Sequence, residues 1–174
     1  MPFVVIFIVK FITFRFLVQD RVAFLYLPYL VSLPLYFWWG PRVFWPHALA
    51  EVFTPVGLHY GFDTILFYGL ANAAKVFVGY FLYEQMAAKT PLKSVKGFLK
   101  FAFWALLIQN IVGNFLFLAA FVEAGAYATD LFWRLYVIDT CKDFAEALVL
   151  CYPILIFVTP WLRAKGWARR DFEI

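Results

Sequence analysis

The apolar residues of this chain come in runs too long for a core that water surrounds. Polar breaks at QDR (19–21), GPR (40–42), HYGFD (59–63), YEQMAAKTPLKSVKG (83–97) and VEAGAYATD (122–130) separate six mostly apolar stretches. These are residues 3–18, 22–39, 43–59, 62–83, 98–122 and 131–162. A helix needs about 20 mostly apolar residues to cross a bilayer, and it must satisfy its own backbone polar groups there. Composition identifies the solvent: 65% of the 174 residues are hydrophobic and 15% are charged, against roughly 45–50% and about 25% in soluble domains. That leaves too few polar side chains to coat a surface in water. The expected fold is therefore all-α, a polytopic transmembrane helical bundle of about six spans, forming one domain over 1–174. The first three stretches are short and also admit hairpins there, in a four-helix arrangement.

Positive charge orients such a bundle. If the 83–97 connection is cytoplasmic, Arg42, Lys89, Lys93, Lys96, Lys100, Arg163, Lys165, Arg169 and Arg170 all fall at the inner side. Arg21 and Arg134 remain outside. This bias puts both termini in the cytoplasm and the chain in a plasma membrane, the inner membrane of a bacterium. It also gives the net charge of +4 a use at lipid headgroups, so no nucleic-acid partner is expected. Tyr36, Phe37, Trp38 and Trp39 are expected to crowd one inner boundary, with Trp161 and Trp167 flanking another.

Ionisable side chains at membrane depth are costly and point to function or to buried pairing. Glu51 and Lys75 sit eight residues from the inner ends of the third and fourth stretches, about 12 Å deep. Sequential antiparallel helices usually touch, so the pair reads as a structural clamp, with a proton or ion site as the alternative. His47 and Glu51, and His59 and Asp63, each stand one helical turn apart, but at opposite membrane faces, so no metal site is expected. Cys141 and Cys151 are ten residues apart on one helix, about 15 Å. They cannot pair with each other and read as small apolar residues.

The densest charge lies on the last stretch, where Asp139, Lys142, Asp143 and Glu146 share one helical face. Depth counting puts them in the outer third of the membrane, level with Arg15, His59 and Asp63. Two readings stand: mutual salt bridges with a wet end, or a recess open to the outside that binds a small polar ligand or ion. Gln109, Asn110 and Asn114, with Gly113, and Gly69, Asn72 and Gly79 read as close helix contacts.

The stretch LYLPYLVSLPLYFWWGPRVFWPHALAE (25–51) carries Pro28, the Gly40–Pro41–Arg42 turn, Trp45–Pro46 and Ala48–Leu49–Ala50–Glu51. It resembles the opening of the bacterial membrane-associated sensor domain family, first type. LFWRLYVIDTCKDFAEALVLCYPILIF, with Asp143 and Pro153, is similar to that family's last helix, and TPLKSVKGFLKFAF to the basic loop and helix before it. That family supplies the membrane half of the sugar-phosphate sensor kinase and of several diguanylate cyclases, usually with more helices than six and a kinase or cyclase following. The resemblance implies a sensor module, either separated from its effector or acting on a partner.

The function expected is therefore non-enzymatic. It is an integral membrane sensor or binding module that detects a small polar ligand or a membrane partner from the outer face. Such a module relays the state to a cytoplasmic signalling domain. The residues expected to line its site are Arg15, Asp63, Asp139, Lys142, Asp143 and Glu146. No cofactor is expected, and no nucleophile–base pair, phosphate loop or metal motif suggests catalysis. The alternative is a small accessory or assembly subunit of a larger membrane complex.

Overall fold

The structure is a computed structural model and describes residues 2–16, 18–19, 22–23, 27–53, 62–87, 90–123, 125 and 128–168, with the side chains of 10–30, 62–64, 68 and 120 outside that description. The described residues form six helices: α1 (Pro2–Phe16), α2 (Leu27–Trp39), α3 (Phe44–Val52), α4 (Phe62–Ala87), α5 (Val95–Glu123) and α6 (Thr129–Ala164). A two-residue antiparallel bridge, Val18–Gln19 against Val22–Ala23, follows α1. The chain is all-α in architecture.

Helix length separates the two halves of the molecule. Helices α4, α5 and α6 are long and apolar enough to cross a membrane. At 1.5 Å per residue the 26 residues of α4 reach about 39 Å, more than a hydrocarbon core of about 30 Å. The 15, 13 and 9 residues of α1, α2 and α3 reach only about 22, 20 and 14 Å. Within the expected stretches 3–18, 22–39 and 43–59 the described residues form these shorter helices, with residues 17, 24–26 and 54–59 outside the description. The helices at 62–83, 98–122 and 131–162 extend further at one or both ends.

Local chemistry accounts for the boundaries. The expected GPR break is a 3₁₀ turn, Gly40–Val43. Gly40 has φ of +71°, a conformation that costs glycine nothing and other residues a clash. The chain turns there so that the Tyr36 ring meets the His47 ring edge-on at 5.9 Å. Helix α4 continues to Ala87 because Lys100 Nζ donates to the terminal carbonyl of Met86 (3.2 Å) and to Thr90 Oγ1 (3.1 Å), a basic side chain at a helix C-terminus. Ser94 caps α5 by accepting from Gly97 N–H at 3.0 Å.

Close helix contacts occur at the glycines. Gly69 of α4 packs against the Ala48 carbonyl and Val52 of α3, and Gly79 against the Ala105 carbonyl and Gln109 of α5. Helix α4 runs antiparallel to α3, where Phe44 meets Phe77 (5.6 Å) near one end and Gly69 meets Val52 near the other. It is likewise antiparallel to α5. Helix α5 then meets the first half of α6 through Phe115, whose ring lies 5.5 and 6.0 Å from those of Phe132 and Tyr136. The second half of α6 turns to α2: Trp38 Nε1 donates to Thr159 Oγ1 (2.8 Å) and Trp39 Nε1 to the Trp167 carbonyl (2.7 Å).

The core is aromatic. The Phe37 ring lies 5.2, 5.7 and 5.8 Å from those of Tyr83, Tyr80 and Phe101. Tyr36 and Phe37 are fully buried there, while Trp38, Trp39, Trp161 and Trp167 come together where α2 meets the end of α6. Among the described residues, large apolar side chains face outward on α1, α3, α4, α5 and α6, including Trp45 and Leu49 of α3 with Phe53 just after it, and Val149 and Phe157 on α6. A helix apolar all round suits lipid better than water.

Candidate functional site

Helix α4 carries the polar residues that organise the bundle, because Asn72 and Lys75 lie three positions apart and so only about 60° apart around its axis. Asn72 faces α3. Its Nδ2 donates to Glu51 Oε2 at 3.0 Å, and the other carboxylate oxygen of Glu51 lies 3.2 Å from His47 Nε2. On the far side of the imidazole, Nδ1 is 3.4 Å from the Tyr36 hydroxyl. His47 and Glu51 are 1% and 2% exposed.

Lys75 turns instead toward α5 and α6. Its ammonium donates to Asp143 Oδ2 (2.9 Å) and to Asn114 Oδ1 (2.5 Å). The Asn114 amide closes the triangle, donating to the same Asp143 oxygen at 3.2 Å, with Thr140 Oγ1 at 3.5 Å. Gly113 provides the room: a β-carbon there would fall within the methylene stem of Lys75. The clamp expected between Glu51 and Lys75 is thus redistributed, Lys75 to Asp143 and Glu51 to His47 and Asn72. The helix register explains the change. It sets Glu51 opposite Asn72, and Lys75 lies nearly a turn further along, where the glycine of α5 admits its stem.

The cluster continues along α6. Lys142 Nζ is 3.8 Å from Asp143 Oδ1 and 3.7 Å from Asp139 Oδ1, and the Lys142 and Asp139 side chains are each 25% exposed. From Lys75 outward the charges alternate, ammonium, carboxylate, ammonium, carboxylate. Glu146 follows on the same face, half-buried. Directly after it α6 passes into a π-helical turn, Ala147–Cys151, and a second π segment in α5, Phe101–Leu107, packs against it. Such segments are frequent at functional sites.

Of the residues expected to form the site, the structure joins Asp139, Lys142 and Asp143, and adds Lys75. The side chains of Arg15 and Asp63, and all of His59, lie outside the described residues. Lys75 is thirteen residues from the start of α4, about 20 Å, and twelve from its end. Asp143 meets it there, level with the middle of α4 and 8% exposed. Asn114, Thr140 and Tyr36 are the contributors that charge counting missed. Asn114 was marked by its type and by the adjoining Gly113, a small and a polar residue in an otherwise apolar run.

Chemically, a buried Lys–Asp pair loses several kcal/mol of solvation, which attraction recovers only with good geometry and further hydrogen bonds. Asn114 supplies those bonds on both ions. Cys141 is exposed and Cys151 buried, and neither forms a disulfide. Among the described residues no three His, Cys, Asp or Glu side chains gather as metal ligands. Comparison of the chain with family models, with curated proteins and with solved structures returns no match.

Proposed function

We propose that this chain is a non-enzymatic integral membrane sensor or binding module, with about six membrane segments and both termini in the cytoplasm of a bacterial cell. In this reading it responds at its outer side to a small polar ligand or a membrane partner, and passes a helix shift to cytoplasmic signalling machinery. The observation that carries the proposal is the Lys75–Asn114–Asp143 contact, which ties α4, α5 and α6 together at mid-length. A buried ion pair joining three helices has few alternative arrangements, and a bundle with two discrete arrangements is what a ligand can bias.

The geometry divides the labour. Asp143 and Lys75 hold the bundle, and the quarter-exposed Lys142 and Asp139 connect that pair to the surface. A ligand that draws Lys142 away changes the field on Asp143 and so the balance at Lys75. The resemblance read in residues 25–51 and the last helix, which no family model matches, is the second ground for this reading. It suggests a signalling domain or a second membrane protein as the partner.

Affinity purification in mild detergent tests the reading. A sensor is expected to recover a signalling protein or transporter in an amount that depends on growth conditions, with recovery lost in Lys142→Gln. Constant, stoichiometric recovery of one large assembly under every condition would instead make the chain an accessory subunit.

A further inference from the structure

We infer that His47 is a proton-binding site, built where α2, α3 and α4 meet and separate from the Lys75–Asp143 cluster. A neutral imidazole has one N–H donor and one bare acceptor nitrogen, and the charged ring has two donors. A fully buried histidine therefore usually has partners for only one of these forms. This one has partners for both.

The Tyr36 hydroxyl makes the difference. It lies 3.4 Å from His47 Nδ1 and also 3.4 Å from the Ala73 carbonyl, and its single proton can serve only one of them. When Tyr36 donates to Nδ1, the ring is neutral and its Nε2–H points to Glu51 Oε1, 3.2 Å away. When Tyr36 donates to Ala73, its oxygen can accept from Nδ1–H. The ring then carries a proton on each nitrogen and faces the Glu51 carboxylate as a cation. Going between the forms requires rotation of one O–H bond and the uptake or release of one proton at Nδ1. Neither form strands a buried donor, since the helical Ala73 carbonyl loses no more than an additional partner.

Tyr36 faces the ring from α2, Glu51 from its own helix, and the Asn72 amide holds Glu51 from α4 at 3.0 Å. Lys75 stands one turn along α4 from Asn72, with Asp143 and then Lys142 beyond it. Helix α1 packs on α3 and carries Lys10 and Arg15. Histidine is the side chain whose unperturbed charge change lies nearest physiological pH, and a change of form at this ring moves one proton on or off the bundle. Asn72 and Ala73 share a helical turn with Lys75, and this places the proton one turn from the central ion pair. The inference does not depend on signalling, since it concerns the state of a single ring.

The test is a titration of the full chain in lipid nanodiscs, with ¹⁵N-labelled histidine and His59→Gln leaving His47 as the only imidazole. The NMR signals of the two ring nitrogens are expected to pass from one protonated and one bare to both protonated, in a single reversible step between about pH 9 and about pH 5. Tyr36→Phe keeps the ring and removes the acceptor for Nδ1–H. It also removes the donor to bare Nδ1, and because a bond to the charged ring is about twice as strong as one to the neutral ring, the midpoint should move to lower pH by roughly 0.7 unit, about fivefold in proton affinity. Glu51→Gln, which keeps an oxygen but removes the charge, should move it further. Ring nitrogens that hold one state across that range in folded protein overturn the inference. So does a midpoint that neither substitution moves.

Discussion

A β-carbon on Gly113 would lie inside the space that the Lys75 side chain fills, so the glycine of α5 and the lysine of α4 are mutually required. Without that gap the ammonium could not reach Asn114 and Asp143 on the far side of the contact. Gly113→Ala should therefore act as an overpacking change, destabilising the purified protein by about 1–3 kcal/mol. In a Lys75→Ala background the same change should cost much less, since the obstructed stem is gone. Thermal melts of the four proteins in detergent measure this, and equal losses in both backgrounds would refute the dependence.

The Lys75–Asp143 pair makes a second prediction. Both side chains are buried, so either partner left alone keeps a charge away from water. Lys75→Met and Asp143→Asn should each cost on the order of 3–5 kcal/mol. The double variant should be far less damaged than the sum, as expected for groups in contact. Glu51→Gln combined with Lys75→Met provides the contrast. These two meet different partners, so their coupling should be clearly smaller than that between Lys75 and Asp143. A larger coupling to Glu51 would reinstate the simpler clamp.

Much of this fold was legible because lipid-compatible helices leave a coarse signal. Runs of apolar residues with no polar period locate α4, α5 and α6 to within a few residues, and Gly40 with Pro41 marks the turn after α2. The first three stretches were read more coarsely. The described part of the third is helical over Phe44–Val52, and residues 54–59 of that stretch lie outside the described residues. The site was half legible. Helical spacing put Asp139, Lys142 and Asp143 on one face correctly, since that depends only on 3.6 residues per turn. Which cation meets Asp143 depends on register between helices distant in sequence, and depth counted from helix ends cannot supply it. Gly113 and Asn114 decided the matter by leaving space and offering a hydrogen bond.

Sidedness is open to a direct measurement. The arrangement proposed above places the 90–94 connection in the cytoplasm and the start of α6 outside. Lys93 and Asp130 are exposed at these two places. Single cysteines introduced there, in a chain with Cys141 and Cys151 replaced, should react with an impermeant maleimide from opposite sides of the membrane. Labelling of both from the same side would remove the proposed topology.

The outer part of the charge ladder should behave unlike its buried end. Lys142 and Asp139 keep a quarter of their side-chain surface exposed and stand 3.7 Å apart, beyond hydrogen-bonding distance. Ion pairs of that kind are worth about 0–1 kcal/mol, so neither residue can contribute much to folding. Lys142→Gln and Asp139→Asn should each leave the melting temperature close to that of the unaltered protein, in contrast to Asp143→Asn. If these residues form the route by which a ligand or partner reaches the central pair, both variants should nevertheless lose the condition-dependent partner recovery. The comparison has two readouts for that reason. Variants that melt normally and still recover the partner in full would leave Lys142 and Asp139 as solvated surface, and the sensing site would have to lie elsewhere on the bundle.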